Sequence, residues 1–191
     1  MLSKQKNIAS IKDAISAVLD QSKHSNYVII DGDRTLIPID STKYFFECMS
    51  LKYTDIKSIF ELYGYSFEGF HNVALYYSKI EKEMYLHACI ESAKNASIYP
   101  EFLSFIHAIS MKSKVVIITS GIADIWRNII INHSLDFVTL IGGNYYPDDK
   151  YVVDKQAKGI IANAIKNANK STFAFGDSII DFDMLKTACY S

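Results

Sequence analysis

The sequence predicts an α/β fold, a doubly wound and mostly parallel sheet with a small helical unit inserted after the first strand. Four short hydrophobic runs rich in β-branched residues lie at 27–31, 114–119, 137–141 and 172–176, and helical patterns separate them. Strands that alternate with helices favour parallel pairing, because each parallel connection has to cross the sheet. In such sheets ligands bind beyond the carboxyl ends of the strands, and three of these runs end there in acids, hydroxyls or glycine.

The helices are predicted from hydrophobic spacing and from their start signals. The first covers residues 8–24, where isoleucine and valine recur on one face. Pro100 predicts a helix at 101 to about 111, because proline favours the first helical turn. The other elements predicted after that helix are a helix at about 122–133, a hairpin at 145–153 with Pro147, Asp148 and Asp149 at its bend, and a helix from Asp154 to about Ala168.

Residues 41–97 show no convincing strand pattern and are rich in helix formers and aromatic residues at helical spacing. We therefore predict two units: a helical unit at 38–97, and a core unit formed by 1–37 and 98–191. Most aromatic side chains of the helical unit are expected to pack in its own core. Some of them are expected to face the predicted site.

Composition excludes several classes of protein. With 191 residues, 49% of them hydrophobic, the chain can form a full core, and its formal net charge of −1 gives no reason to expect nucleic acid or an anionic membrane as partner. No apolar run is long enough to span a bilayer, and the N-terminus lacks the apolar segment of a signal peptide. The widely spaced Cys48, Cys89 and Cys189 indicate reduced thiols, so a cytoplasmic location is expected.

The most informative segment is residues 27–36, YVIIDGDRTL. A buried strand delivers Asp31 and Asp33 to its carboxyl end, and a charge beside an apolar core is costly unless it is paired. Gly32 allows the chain to bend as it leaves the sheet. Two carboxylates in this position suit Mg²⁺ binding, or a division of nucleophile and general-acid roles. The alternative is an ordinary Asp-Gly turn.

Polar residues also follow the second strand and open a later helix. Ser120 and Gly121 follow the second strand, where a hydroxyl and backbone N–H groups can hold a phosphate oxygen. Lys155 and Lys158 stand at a helix start, against the preference of the helix dipole, which is mild evidence for an anionic partner. The alternatives are a polar turn and solvated surface lysines.

Two further acids follow the last strand. Asp177 can reach a metal, and Asp181 lies about one helical turn later, where it can brace a lysine or a metal-bound water. The alternative for Asp177 is an N-terminal helix cap.

Four short segments occur in order along the chain: DGDRTL, ITSG, the lysine in KQAKG, and GDSIID. Each is weak alone, but the ordered set resembles the haloacid dehalogenase (HAD) superfamily of aspartate-nucleophile phosphotransferases over about residues 27–188. The chain looks most like the phosphoserine-phosphatase-like branch, because of the AKGIIANAI helix start, the GDSIIDFDML segment and Asp40, nine residues after Asp31. The resemblance implies a HAD-like Rossmannoid core with a helical cap inserted after the first strand.

The resemblance also implies a Mg²⁺-dependent phosphatase that hydrolyses a small phosphorylated metabolite in two steps. Asp31 would attack phosphorus and form an aspartyl-phosphate, and Asp33 would protonate the leaving alcohol and then activate water. Ser120 and Lys158 would neutralise the charge of the transferring group, with Lys155 as the alternative lysine. The implied Mg²⁺ site consists of Asp31, the backbone carbonyl of Asp33, Asp177 and Asp181, the last orienting Lys158 or a metal-bound water. The implied substrate- or phosphate-binding residues are Thr35, Gly121, Arg34 and Asp40.

Other functions stay open at this point. Asp33 argues against dehalogenation, because that reaction has no alcohol to protonate. A phosphotransferase that passes phosphate to an acceptor and a non-catalytic binding or regulatory domain of a larger protein are the two alternatives. Phosphoserine itself is not the expected substrate, since its carboxylate needs a cationic grip and the only arginines, Arg34 and Arg127, lie outside the cap. Lysines of the cap, such as Lys57, could bind a substrate carboxylate in place of an arginine. Asp40 could bind a substrate amine.

The C-terminus is short for this superfamily. The chain ends about ten residues after the last motif, whereas relatives continue with a further strand. We therefore expect the last strand to be left as an exposed edge, which proteins usually avoid, unless a further domain, an N-terminal segment or a second copy covers it.

Overall fold

The computed structural model describes residues 2–143, 145, 148 and 150–191. The helices and strands of this part are α1 (Lys4–Gln21), β1 (Asn26–Asp31), α2 (Ser41–Cys48), α3 (Thr54–Tyr63), α4 (Phe67–Tyr77), α5 (Lys82–Lys94), α6 (Pro100–Ile109), β2 (Ser113–Ile118), α7 (Ala123–Asn132), β3 (Thr139–Ile141), α8 (Lys155–Asn167), β4 (Ser171–Phe175) and α9 (Phe182–Thr187). Among the described helices, none combines the length and the apolar character needed to cross a membrane.

The four strands form one all-parallel sheet in the order β3-β2-β1-β4. The central β1 pairs with β2, where Asp31 lies opposite Ile118, and with β4, where Ile30 lies opposite Phe175. The carboxyl ends of β1, β2 and β4 therefore meet at one edge of the sheet, and the loops that follow them lie side by side. Helices cover both faces, so the predicted α/β fold with a parallel sheet is confirmed.

Alternate residues of β1 enter different layers of the core, as the two-residue period of a strand requires. Tyr27 and Ile29 pack in the layer formed with α1 and α8. Val28 and Ile30 pack in the opposite layer, which includes Trp126 of α7. Because β1 is buried on both faces, its sequence is a continuous hydrophobic run rather than an alternating one.

Four helices, α2 to α5, lie between β1 and α6 along the chain, in the part predicted as a cap. α2, α4 and α5 share an aromatic cluster in which the Phe45 ring contacts Tyr77 and Tyr85 edge-to-face, at 5.6 and 5.3 Å between ring centroids. This cluster is continuous with the sheet layer around Trp126, because α5 packs against α7. α3 and α4 pack against each other. The division of the chain at residues 38 and 97 stays a prediction.

The third strand begins two residues later than predicted, at Thr139. The Val138 N–H donates to the Leu135 carbonyl at 2.8 Å, so the residues before the strand form a turn. The ladder with β2 is correspondingly short, and β3 is an edge strand.

The predicted hairpin at 145–153 lies partly outside the described residues, because 146, 147 and 149 are not among them. Its described part forms no strand. The backbone of Val152 instead exchanges two hydrogen bonds with the Asn7 side chain of α1, at 2.7 and 3.1 Å. Side-chain hydrogen bonds to a helix therefore hold this segment in place of a strand ladder.

The outer edge of β4 is partly covered by the C-terminal residues of the chain itself. Tyr190 forms a parallel bridge with Phe173, and the two rings stack at 4.8 Å between centroids. Backbone hydrogen bonds join Tyr190 to Thr172 and Ala174 at 3.1 and 2.9 Å. The expectation of an exposed edge is therefore wrong at these positions. A covering domain or second copy stays a prediction.

Candidate active site

The predicted site residues meet at the carboxyl edge of the sheet, around a cavity of about 610 Å³. Asp31 ends β1, Ser120 and Asp177 follow β2 and β4, and Lys158 extends from the first turn of α8. All four line the cavity together with Asp33. Among the other predicted residues, the cavity is lined by Arg34, Asp40 and Gly121, whereas Thr35 and Asp181 contact residues that line it.

Lys158 lies at the centre of a buried ionic cluster. Its side chain is 1% exposed, and its ammonium group contacts Asp31 and donates to Asp181 Oδ1 at 2.6 Å. Burial alone would lower the pKa of Lys158, but the two aspartates outweigh burial and raise that pKa. Asp181 is itself fully buried, and its Oδ2 accepts hydrogen bonds from the N–H and the hydroxyl of Ser178, at 3.0 and 2.9 Å. Asp181 therefore fixes the position of Lys158.

Lys155 lies outside this cluster. Its side chain is partly exposed, 3.7 Å from Asp183, and its ammonium group lies 5.0 Å from the centre of the Phe182 ring. Of the two lysines at the start of α8, the structure therefore brings Lys158, and not Lys155, against Asp31.

Asp31 is almost completely buried at the end of β1. Besides its contact with Lys158, it accepts a hydrogen bond from the Thr35 hydroxyl at 3.3 Å. Removal from water raises the pKa of Asp31 to about 6, while Lys158 opposes the rise and the charges of Asp181 and Asp177 add to it. The carboxylate form is therefore present at neutral pH, as a nucleophile requires.

Asp33 faces a different set of partners. Its Oδ1 accepts a hydrogen bond at 3.0 Å from the Ser41 N–H at the start of α2. Its Oδ2 lies against Gly121, where an added β-carbon would come within 2.5 Å of it. Removal from water raises the pKa of Asp33 to about 7, with the charge of Asp40 adding to the rise and hydrogen bonds from Ser41 opposing it. Asp33 can therefore hold a proton near neutral pH, whereas Asp31 is paired with the ammonium group of Lys158.

The turn after β2 presents a hydroxyl group at the cavity. Thr119 Oγ1 accepts a hydrogen bond from the Gly121 N–H at 2.9 Å, which fixes the turn. Ser120 Oγ is buried and has no hydrogen-bond partner among the described residues. A buried hydroxyl without a partner is unfavourable. Ser120 is therefore suited to bond an oxygen atom of a ligand in the cavity.

Three carboxylates form a candidate metal site. Asp31, Asp177 and Asp181 each offer an oxygen within 4.8 Å of the others, and hard oxygen donors of this kind fit Mg²⁺. Asp31 and Asp177 line the cavity, whereas Asp181 is fully buried behind it, so Asp31 and Asp177 are better suited as direct ligands. Arg34 Nε lies 3.2 Å from Asp177. The Asp33 carboxylate points towards α2 and does not join the group, which leaves its backbone carbonyl as the predicted contribution.

Asp40 caps α2. Its Oδ1 accepts a hydrogen bond from the Thr42 N–H at 3.0 Å, and its Oδ2 accepts one from the Tyr53 hydroxyl at 2.6 Å. Such a cap stabilises a helix by about 1 kcal/mol. Since both oxygens are engaged within the protein, Asp40 has a structural role in addition to its place on the cavity wall.

Three contacts that shape the site were not predicted from the sequence. The Ser178 contact with Asp181 joins residues three positions apart, and serine before an acid at this spacing is a local signal that was available. The Ser41 N–H on Asp33 and the Tyr53 hydroxyl on Asp40 join different elements. No local pattern predicts those two contacts.

The sequence matches the family described as haloacid dehalogenase-like hydrolase over residues 28–186. No curated protein sequence gives a significant match. Several solved structures share the fold. A phospho-aspartyl intermediate analogue of phosphoserine phosphatase gives a TM-score of 0.60 at 19% identity, covering 87% of this chain and 84% of that one.

Two other structures show that the same fold occurs in proteins of different description. A HAD family hydrolase from Salmonella enterica subsp. enterica serovar Typhi gives a TM-score of 0.63 at 14% identity, covering 98% of this chain and 72% of that one. Cytosolic 5'-nucleotidase IIIB bound to cytidine gives a TM-score of 0.54 at 10% identity, covering 100% of this chain and 77% of that one. At these identities the likeness shows the fold alone, whereas the family match extends over most of the sequence. The chain therefore belongs to the haloacid dehalogenase-like hydrolase family, as its four motifs predict.

Proposed function

We propose that the protein is a Mg²⁺-dependent phosphatase that hydrolyses a small phosphorylated metabolite through an aspartyl-phosphate intermediate. The observation that supports this most directly is the different surroundings of Asp31 and Asp33. Asp31 is paired with the buried Lys158, whereas Asp33 has no lysine partner among the described residues, and its pKa is raised to about 7. One ionised and one protonated carboxyl group are what a nucleophile and a general acid require.

In the proposed first step, a carboxylate oxygen of Asp31 attacks phosphorus, and the bond from phosphorus to the leaving alcohol breaks. Asp33 gives its proton to the leaving oxygen. The Ser120 hydroxyl donates a hydrogen bond to a phosphoryl oxygen, and the ammonium group of Lys158 offsets the negative charge that the phosphoryl group brings. The products of this step are the free alcohol and the aspartyl-phosphate.

In the proposed second step, water attacks the same phosphorus atom, and Asp33, now ionised, takes the proton from that water. The bond from phosphorus to Asp31 breaks, which releases inorganic phosphate and restores the carboxylate. Asp181 acts throughout as a positioning residue, since it holds Lys158 beside the reacting oxygens. One water is consumed and one alcohol is released in each cycle.

The carboxylates of Asp31 and Asp177, with the backbone carbonyl of Asp33, are the proposed Mg²⁺ ligands. Bound there, Mg²⁺ would supply positive charge to the transferring phosphoryl group. Two observations support this proposal. The ligands are oxygen atoms, which Mg²⁺ prefers, and carboxylate oxygens of Asp31, Asp177 and Asp181 lie within 4.8 Å of one another.

The test is phosphate release from a panel of small phosphomonoesters, with and without Mg²⁺. The wild type and the Asp183→Asn variant are expected to release phosphate, whereas the Asp31→Asn variant is expected to release none. Asp183 is a matched control because it carries the same carboxylate, contacts the start of α8 through Lys155, and lies outside the cavity. Equal activity of the two variants would contradict the role of Asp31. Phosphate that appears on an added alcohol instead of in solution would identify a transferase.

A further inference from the structure

The side of the cavity that faces α3 and α4 is predominantly apolar. We call its residues the cap wall, and they are Ile56, Phe60, Phe70, Val73, Ala74 and Tyr77. Most of them are shielded from bulk water although they line the cavity; Ala74 and Tyr77, for example, are only 2% exposed. The Phe60 and Phe70 rings meet edge-to-face at 5.0 Å between centroids. The part of a ligand that lies against the cap wall therefore leaves water and contacts apolar side chains.

The cavity is also larger than a phosphoryl group requires. Its volume of about 610 Å³ falls within the range of about 300–1,000 Å³ that is typical of pockets for drug-sized ligands. The phosphoryl end is defined by Asp31, Ser120 and Lys158 at the carboxyl edge of the sheet. The remaining space, bounded by the cap wall, is available to the leaving group and has room for a ring.

The cavity has few basic side chains, and most of them are already paired with carboxylates. Among the described residues that line it, these side chains are Arg34, Lys57 and Lys158. Lys158 contacts two aspartates, and Arg34 pairs with Asp177. Lys57 is exposed, and its ammonium group lies 5.6 Å from the centre of the Tyr53 ring. A second anionic group on a ligand would therefore have to displace a carboxylate or rely on the exposed Lys57, whose contact with a ring is weak.

The acidic side chains on the cap side oppose a second anionic group as well. Asp40 and Glu61 both line the cavity there, so their two negative charges face the single positive charge of Lys57. A carboxylate on the leaving group would meet this field in a partly desolvated space, where an unpaired charge is costly. A neutral apolar group meets no such penalty.

We infer that the leaving alcohol of the substrate carries a hydrophobic, ring-containing body and no carboxylate. This rests on the proposed phosphatase function and deepens it to a substrate class. The cap wall selects for the apolar body, and the shortage of unengaged basic side chains selects against a carboxylate. Discrimination of this kind reaches about tenfold or more for a well-matched apolar group.

The test compares three esters of primary alcohols, so that the chemistry of the leaving oxygen is similar in all of them. These are 2-phenylethyl phosphate, phosphoethanolamine and phosphoserine. The expected kcat/KM for 2-phenylethyl phosphate is at least about tenfold above that for phosphoserine, with phosphoethanolamine in between. A kcat/KM for phosphoserine equal to or above that for 2-phenylethyl phosphate would overturn the inference.

Two cap variants test the cause of the preference. Glu61→Arg places an arginine on an exposed cap position that lines the cavity. It is expected to lower the kcat/KM ratio of 2-phenylethyl phosphate to phosphoserine by about tenfold. Glu47→Arg is the matched control, since Glu47 is an exposed acid of α2 outside the cavity, and it should leave the preference unchanged. Phe60→Ala is expected to lower the ratio of 2-phenylethyl phosphate to phosphoethanolamine turnover by about fivefold. Unchanged ratios in both Glu61→Arg and Phe60→Ala would overturn the assignment to the cap wall.

The failure of this inference differs from the failure of the proposed function. If no ester, including p-nitrophenyl phosphate, releases phosphate in a reaction that Asp31→Asn abolishes, both are overturned. If the wild type releases phosphate in an Asp31-dependent reaction but prefers phosphoserine, the phosphatase stands and the hydrophobic leaving group is wrong.

Discussion

Replacement of Lys158 by methionine is expected to remove both stability and activity, because this lysine is the cationic partner that two buried carboxylates share. Lys158 is 1% exposed, Asp31 is 6% exposed, and Asp181 is fully buried. Methionine has a similar length and no charge, so the change leaves the carboxylates without compensation rather than leaving a large cavity. Breaking a buried pair in this way costs about 3–5 kcal/mol of the free energy of unfolding.

The matched control is Lys155→Met on the same helix. Lys155 lies 3.7 Å from Asp183 in a partly exposed pair, and such pairs contribute about 0–1 kcal/mol. In urea denaturation at neutral pH, a loss of about 3–5 kcal/mol lowers the midpoint by about 2 M for a domain with a typical slope. Lys155→Met should shift the midpoint by less than about 0.5 M. Phosphate release should disappear in Lys158→Met and persist in Lys155→Met.

The pH dependence of the Lys158→Met effect provides a second readout. Lys158 opposes the rise of the Asp31 pKa to about 6, so its removal raises that pKa further. The cost of the unpaired carboxylate is therefore present at neutral pH and is relieved as the pH falls and Asp31 takes up a proton. Equal effects of the two lysine variants, or a cost that grows towards acid pH, would contradict the role of Lys158 as the partner of the two buried carboxylates.

Three further outcomes are expected. Asp33→Asn should lower kcat by about 10²–10⁴-fold in steady-state kinetics, because it removes the general acid and base, and an unchanged kcat would exclude that role. Without divalent cations, the free energy of unfolding of the wild type should fall as the pH rises from about 4 to about 7. The burial of Asp31 and Asp33 raises their pKa values to about 6 and about 7, so the folded state holds protons that the unfolded chain releases. Urea denaturation across this range should show a smaller fall in Asp33→Asn than in the wild type, and an equal fall would contradict the raised pKa of Asp33. Gly121→Ala should lower kcat more than stability, because its β-carbon would come within 2.5 Å of Asp33 Oδ2; a stability loss with normal kcat would contradict this.

The strand ends and the family were predictable from local sequence. Each of the strands that border the site is a compact hydrophobic run with a functional residue at its end or within two residues of it, as Asp31 follows Ile30. The pattern that predicts the strand therefore also predicts where the site residue lies. Asp154 caps α8 at the predicted start through the Ala157 N–H. The spacing from that cap to the lysines was visible in the sequence. It did not decide between Lys155 and Lys158, because their difference lies in what each side chain packs against.

Contacts between distant elements could not be predicted. The Tyr53 hydroxyl, at the start of α3, reaches back to Asp40, at the start of α2, and an acid that was expected to meet a substrate amine is thereby engaged within the protein. The covering of β4 by Tyr190 likewise depends on the path of the chain after α9. In the segment predicted as a hairpin, the described part forms no strand, and the hydrogen bonds between Val152 and the Asn7 side chain join residues that are far apart in the sequence.

The most direct test of the account is to trap the covalent intermediate. Wild-type protein is mixed with Mg²⁺ and a turned-over phosphomonoester, quenched rapidly in acid, digested and examined by mass spectrometry. One added phosphoryl group is expected on the peptide that contains Asp31, removable by hydroxylamine and absent from Asp31→Asn. Turnover with no phosphoryl group on that peptide, or with the group on another residue, would contradict the central claim that Asp31 is the nucleophile.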